Sequence, residues 1–519
     1  ILFTNLPAMN RHLQLYLFIT LWMIMDTGCV RDTGRTFYLS SLGDDTFNGS
    51  FKKPWKTIER LNSEPLKPGD KIFLEGGTSF PGTLFIDSIH NSLSTDKLII
   101  CTYGKQRAVI DGGNKPGLVI KNSGNFEIRN LIVKGNGRKD GNNSDGLIVS
   151  DCSDFAIDSV EVYGFRHSGL LATDCKNAII TNITAHDNGF AGIQVNSVKA
   201  NHPTDYGNEN IYIGYSTAFN NPGDPDVTDN HSGNGILVSS VKEGLIEYCE
   251  AYNNGWDMPW TGNGPVGIWI WDCQSFIIQY CISHDNKTNP VAKDGGGFDL
   301  DGGVANSVIQ YCISYNNQGA GYGLFEFGAS KPWENNIIRY NIGFNDGLLN
   351  EGSVAVWKGR NAGIMRNCEI YNNTFINDTL MGVSLSLTSN CPVFIFKNNI
   401  FIFSRNFISA NQKITEEKFV SNCFWNSKAN SVLPQELIND NIIADPCLKI
   451  PVRVNITKPV SIPHESRTTF SLLPHSPLID RGVPVTSPFG LPFSGIDIAG
   501  TKVPQGKGID IGALEFITL

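Results

Sequence analysis

Asp299 and Asp301 stand in the alternating run Gly297-Phe-Asp-Leu-Asp301, and Glu326 follows in Leu324-Phe-Glu-Phe327. Tryptophans flank them in Gly267-Ile-Trp-Ile-Trp271 and Ser353-Val-Ala-Val-Trp357. Crowded carboxyl groups drive one another's pKa values apart, so that one keeps its proton while a neighbour stays ionised. Acid-assisted cleavage of a glycosidic bond needs that division of labour. Exposed indoles add flat apolar faces on which sugar rings stack. The expected roles are Asp301 as nucleophile or electrostatic support, Glu326 as acid, and Asp299 as an orienting or hydroxyl-binding group. Trp269, Trp271 and Trp357 would wall a groove, with Trp256 and Trp260 on turns beside it and Lys358 and Arg360 at its margin.

The elements that position these groups are written in a repeated phrase: Leu245-Ile-Glu-Tyr-Cys-Glu-Ala-Tyr-Asn-Asn254, Ile277-Ile-Gln-Tyr-Cys-Ile-Ser-His-Asp-Asn286 and Val308-Ile-Gln-Tyr-Cys-Ile-Ser-Tyr-Asn-Asn317. Short apolar strands ending in Asn turns recur in coils of roughly 23 to 34 residues without helical periodicity, which predicts an all-β solenoid, a right-handed parallel β-helix. Stacked coils place equivalent residues ~4.8 Å apart. Asn253, Asp285, Asn316 and Asn345 should then form a turn ladder, and Cys249, Cys281 and Cys312 a packed row.

Period-two alternation points Ile268, Ile270, Phe298, Leu300, Val354 and Val356 inward, and Trp269, Trp271, Asp299, Asp301 and Trp357 outward. In the coil between, Phe325 and Phe327 are expected inside and Glu326 outside, because an unpartnered carboxylate in the core is very costly. Asp301 and Glu326 would lie one coil apart, a spacing closer to the ~5–5.5 Å of retaining glycosidases than to the wider inverting pair. Long turns at Pro222–Gly233, Gly255–Pro265 and Lys287–Gly296 would border the groove. His167, His231 and His284 read as satisfied turn or surface residues.

A 519-residue chain with 53 glycines, a net charge of −9 and a pI near 5.5 suits one solenoid and offers no basic surface for nucleic acid. Residues 1–29 have the order of an export signal, with Met9-Asn-Arg-His12, an apolar run to Met25 and Gly28-Cys29, where Cys29 is a candidate lipid anchor. The run is too short for a transmembrane span. The β-helix is expected over 35–445 with a helical cap within 48–61, and a non-repeating closing segment over 446–519. The twelve cysteines show no CxxC spacing; an oxidising compartment would permit disulfides, but Cys249, Cys281 and Cys312 read as core packing and need no bridges. A monomer is expected.

The entry stretch Gly43-Asp-Asp-Thr-Phe-Asn-Gly49 with Pro68-Gly-Asp-Lys-Ile-Phe-Leu74, the Asn-ended coils, and the closing Ser476-Pro-Leu-Ile-Asp480 with Asp510-Ile-Gly-Ala513 resemble the bacterial right-handed parallel β-helix proteins that act on polysaccharides, the pectate-lyase-like group. That resemblance implies a polysaccharide or oligosaccharide as partner, and the signal-like start implies an exported protein, periplasmic, secreted or an outer-membrane lipoprotein. The fold carries several chemistries. The carboxylates of neighbouring coils are similar to those of β-helix glycosidases, which need no cofactor. The alternative is a uronate lyase, with Lys293, Lys358 or Arg360 as base and calcium held by Asp294, Asp299 and Asp301. A non-catalytic glycan-binding solenoid is the third reading.

Overall fold

The computed structural model describes residues 34–517 apart from 90–95, 201–204, 330, 378–381, 387–393, 411–417, 429–432, 434–436, 450–468 and 487. The export-like segment and Cys29 lie outside the described residues. Each central coil contributes three short strands to three faces. One such coil is Val241–Glu247, Glu250–Tyr252 and Val266–Trp271. The next is Gln274–Gln279, Ile282–His284 and Gly296–Leu300. The first two faces form one 26-stranded sheet, since the early strands Gly124–Gly135 and Ser153–Tyr163 run through both, and the third face is a 12-stranded sheet. All pairing between coils is parallel, as in Ile246↔Ile278 and Ile236↔Ile268.

Four third-face strands carry the groups of interest: β1 (Val266–Trp271), β2 (Gly296–Leu300), β3 (Tyr322–Glu326) and β4 (Val354–Lys358). Their inward rows, Ile268-Phe298-Tyr322-Val354 and Ile270-Leu300-Leu324-Val356, are essentially inaccessible to water. Continuous burial of these apolar columns holds the coils in register, because a slip by one residue would turn every side chain to the other face.

The coil corners explain the repeated phrase. Cys249, Cys281 and Cys312 are fully buried, and the thiols of Cys281 and Cys312 each lean on a carbonyl of the preceding coil, those of Ile246 and Ile278. Asn253, Asp285, Asn316 and Asn345 all adopt positive φ, from 51° to 55°. These residue types tolerate left-handed backbone well. The buried ladder belongs to the residues that follow: Asn254 donates to Asn286 at 2.9 Å, Asn286 to Asn317 at 2.9 Å, and Asn317 to Asp346 at 2.8 Å. The left-handed corner turns the next side chain into the core, where its amide answers backbone groups that would otherwise be unpaired. Along the outside of the second face the rings of Tyr163, His186, Phe219, Tyr252, His284 and Tyr315 stack 4.5–5.0 Å apart.

The N-terminal helix is shorter than expected, Ile58–Asn62, capped by the Thr57 hydroxyl. Pro54 restricts the residue before it to extended backbone, which keeps the preceding stretch out of the helix. At the other end, the closing segment lies against the outside of the first two faces. There Arg339 donates to the Pro492 carbonyl at 2.6 Å, and Asn398 to that of Val483 at 2.9 Å. No helix among the described residues is long and apolar enough to cross a membrane.

Candidate functional site

On the outer side of the third face the register runs Trp269↔Asp299↔Gly323↔Ala355, with Phe325↔Trp357 two residues further along. The expected orientation of β3 is therefore corrected. Tyr322 and Leu324 fill the core, and Phe325 faces outward under cover. Tyr322 stays inside because its ring packs on Phe298 with centroids 5.5 Å apart, while its hydroxyl donates to the carbonyls of Cys312 and Ile342. Phe327 is half exposed rather than buried.

Glu326 does not face solvent as expected; it is fully buried at the end of β3. One carboxylate oxygen accepts the Gly328 and Ala329 amides at 2.7 and 2.8 Å, and the other accepts the Gly303 amide at 3.0 Å. Burial raises its pKa, while these amides and the Lys358 charge oppose the rise. Lys358, its register partner, is buried as well. Close by, the buried Lys331 ammonium donates to Asp272 at 2.6 Å, and Ser240 occupies the other Asp272 oxygen at 2.8 Å.

A different set of carboxyls lies diagonally across the same coils. Asp294 precedes β2 and Glu351 precedes β4, two coils on, yet the two side chains share a hydrogen bond. The intervening turn permits this because Gly319 carries no side chain; a Cβ there would lie 2.4 Å from the Asp294 carbonyl oxygen. The Gly264 amide donates to Asp294 at 2.7 Å and the Ala320 amide to Glu351 at 2.8 Å. Both residues hold positive φ, 56° and 68°. For a glutamate this is an uncommon backbone state of the kind that clusters at functional sites. A hydrogen bond between two carboxyls requires a proton on one of them. Burial lifts Asp294 to about 6 against the Gly264 amide, the Glu351 hydrogen bond and Lys293, and burial with the Asp294 charge lifts Glu351 to about 8 against the Ala320 amide and Lys293.

Asp299 connects this pair to Asp301. Its side chain is 3% exposed, and Oδ1 meets no hydrogen-bond partner among the described residues. It points over Gly323, where a Cβ would approach Oδ1 to 3.0 Å. Burial, then Asp301, Asp294 and Glu351, hold its pKa well above the carboxylate range. Asp301, half-buried just past β2, is raised by burial and by Asp294 and Glu326. The four carboxyls thus form one interacting set, of which Glu351 escaped the sequence reading altogether.

The aromatic wall is only partly as expected. Trp269 is corrected to a buried position: it is 4% exposed, its indole N–H bonds Asn234 at 3.1 Å, and His231 packs edge-on 5.1 Å away. The Pro222–Gly233 turn has closed over it. Trp271 is half-buried with Phe327 edge-on at 6.2 Å, and Trp357 is 40% exposed. These three rings stand on coils around Asp301. Trp260 bonds its own turn through Asn263, Trp256 is exposed further along, and Lys293 and Arg360 project to solvent. Among the described residues no group of three or more His, Cys, Asp or Glu side chains is arranged to hold a metal ion.

Several solved structures share the fold. A lacto-N-biosidase of family GH136 from Eubacterium ramulus superposes with a TM-score of 0.51 at 16% identity, over 75% of this chain and 68% of that one. XylC in complex with xylose gives 0.50 at 11% identity over 92% and 98%. The pectate lyase Pel9A gives 0.45 at 17% identity over 93% and 96%. No curated protein matches in sequence. Residues 37–361, more than half of the chain, match the profile described as Pel9A-like, right-handed β-helix region. The chain therefore belongs to the Pel9A-like right-handed β-helix family.

Proposed function

We propose that this protein hydrolyses glycosidic bonds, with Asp294, Asp299, Asp301 and Glu351 as its working carboxyl groups. The observation that carries this reading is the hydrogen bond between the Asp294 and Glu351 carboxyl groups beside two further crowded acids. Glu351, hydrogen-bonded to Asp294, holds the proton that passes to the glycosidic oxygen as the bond to the anomeric carbon breaks. Asp301 meets the positive charge that develops on the sugar, as nucleophile or as base toward water. Water supplies the hydroxyl of the new reducing end, and its second proton restores the acid. Trp271, Phe327 and Trp357 give the ring an apolar seat. Glu326 is not given the acid role here, because both its oxygens accept backbone amides, which favour its ionised form.

The exported location expected from residues 9–29 accompanies this reading, because polymeric glycans are met outside the cell. A second reading, a uronate lyase, is favoured by one observation: the Lys293 charge acts on both Asp294 and Glu351, where a lysine could serve as base.

One experiment separates them. Neutral and acidic glycans are digested while reducing ends and the absorbance of unsaturated uronates are followed together. Hydrolysis predicts reducing ends without absorbance. Rising absorbance would transfer the assignment to the lyase, and silence on both would leave a glycan-binding solenoid.

A further inference from the structure

A second cleft opens on the same edge of the solenoid as Asp294. It encloses about 490 Å³ and is lined by Lys134, Arg138, Lys139, Asp187 and Trp256 among others. That volume lies within the range of small-ligand sites. Its floor includes Gly135 and Gly164, which approach so closely that a Cβ on Gly135 would come within 2.4 Å of the Gly164 carbonyl oxygen. Bare backbone there is a packing requirement, and it leaves the floor open.

The walls are fixed rather than loose. Arg138 donates to the Gly223 carbonyl at 3.0 Å and to Asp257, and Lys139 donates to Asp257 at 2.6 Å. These contacts tie the turn after Gly124–Gly135 to the turns carrying Pro222 and Trp256. Trp256 is 49% exposed, with Arg138 5.9 Å from its ring. Lys134 in turn faces Asp111 at 3.5 Å. Lys134 meets Asp111, Arg138 and Lys139 share Asp257, and Asp140 and Asp187 also line the cleft, so the cleft has no net positive charge with which to select an acid. What remains is a flat apolar ring beside an array of fixed donors and acceptors, the combination that suits a hydroxyl-rich neutral ring.

We propose that this cleft is a distal subsite for a neutral sugar residue of the same glycan chain that is cleaved at the carboxyl cluster. The inference rests on the hydrolase reading for its substrate. The register connects the two places: Lys134↔Tyr163↔His186↔Phe219↔Tyr252↔His284 makes five steps, and Asp294 lies in the turn after His284. Five steps at ~4.8 Å put the Lys134 end of the cleft about 24 Å from the coil of Asp294, and the turn of Trp256, one coil before that of Asp294, leans back to Arg138 across this interval, room for several sugar residues laid along the turns. The substrate is then an extended chain rather than a disaccharide.

The test pairs Trp256→Ala with the wild-type protein, and melting temperature reports that the variant is folded. Both are run in native gels containing soluble xylan, mixed-linkage β-glucan or polygalacturonate, and both are assayed on a length series of oligosaccharides from whichever polymer is cleaved. Wild-type kcat/KM should climb about tenfold once the oligosaccharide is long enough to reach Trp256, the size of effect a stacked ring supplies. Trp256→Ala should flatten the climb and abolish retardation in a neutral gel. Trp256→Phe should keep both. Identical length profiles and mobilities in wild type and Trp256→Ala would overturn the subsite, as would retardation by polygalacturonate alone. If no glycan is cleaved, the hydrolase reading fails, but Trp256-dependent retardation would still uphold the cleft; absence of retardation as well would remove both.

Discussion

Around β1 to β4 the chain buries carboxylates in two ways. Glu326 accepts three backbone amides and Asp272 is answered by Lys331 and Ser240. Asp294, Asp299, Asp301 and Glu351 instead face mostly one another, and one Asp299 oxygen meets nothing among the described residues. Buried charge is tolerated when it is paired and hydrogen-bonded. The first group meets that condition and serves the architecture. The second meets it only in part, through the Gly264 and Ala320 amides, and otherwise relies on retained protons, which is the property an acid catalyst needs.

If this contrast is right, substitutions on the two sides fail differently. Asp301→Asn should lower turnover most, by ~10²–10⁴-fold, with the melting temperature nearly unchanged; kcat on an established substrate beside a thermal melt checks it. Lys331→Met leaves Asp272 without its cation and should cost ~3–5 kcal/mol of stability, read from denaturant unfolding. Glu326→Gln presents an amide N–H to at least one backbone donor and should cost ~1–3 kcal/mol. Most of its turnover per folded molecule should survive. The reverse pattern, a stable but inactive Glu326→Gln, would return that residue to the acid role.

The smallest effect is on pH. Folded Asp294 and Glu351 titrate near 6 and 8, above the ordinary carboxylate values of ~3.9–4.3. Between those limits the folded chain binds more protons than the unfolded one, so stability falls as pH rises. Glu351→Gln keeps a hydrogen-bond donor for Asp294 without a titrating proton. Its stability should therefore decline less than that of the wild type from pH 5 to 8, by a few degrees in melting temperature.

Much of the solenoid was legible because its signals are periodic. The Cys249, Cys281 and Cys312 row and the inward Ile, Phe and Val columns follow from copies that differ by few residues. The site was harder. Glu351 sits in a turn with no alternation, and its partner lies two coils away across Gly319, a relation that no local pattern encodes. The β3 register was misread because a buried Glu326 looked too costly; three backbone amides answer its carboxylate, and the Tyr322 hydroxyl finds core carbonyls, which makes burial of both acceptable. Trp269 alternates as an outward residue should, but the turn bearing His231 covers it and Asn234 accepts its indole N–H. Sequence periodicity describes the strand and is silent about what folds back over it.

The central claim is that the carboxyl cluster, unlike the Glu326 corner, keeps a proton at neutral pH. Infrared titration of the protonated carboxyl stretch tests this directly, as the difference between wild type and Glu351→Gln. Subtraction cancels Asp346 and Glu515, which burial also lifts to about 7. The account predicts a difference band still present at pH 7 and fading between about 6 and 8. A difference spectrum without any protonated carboxyl above pH 5 would contradict it.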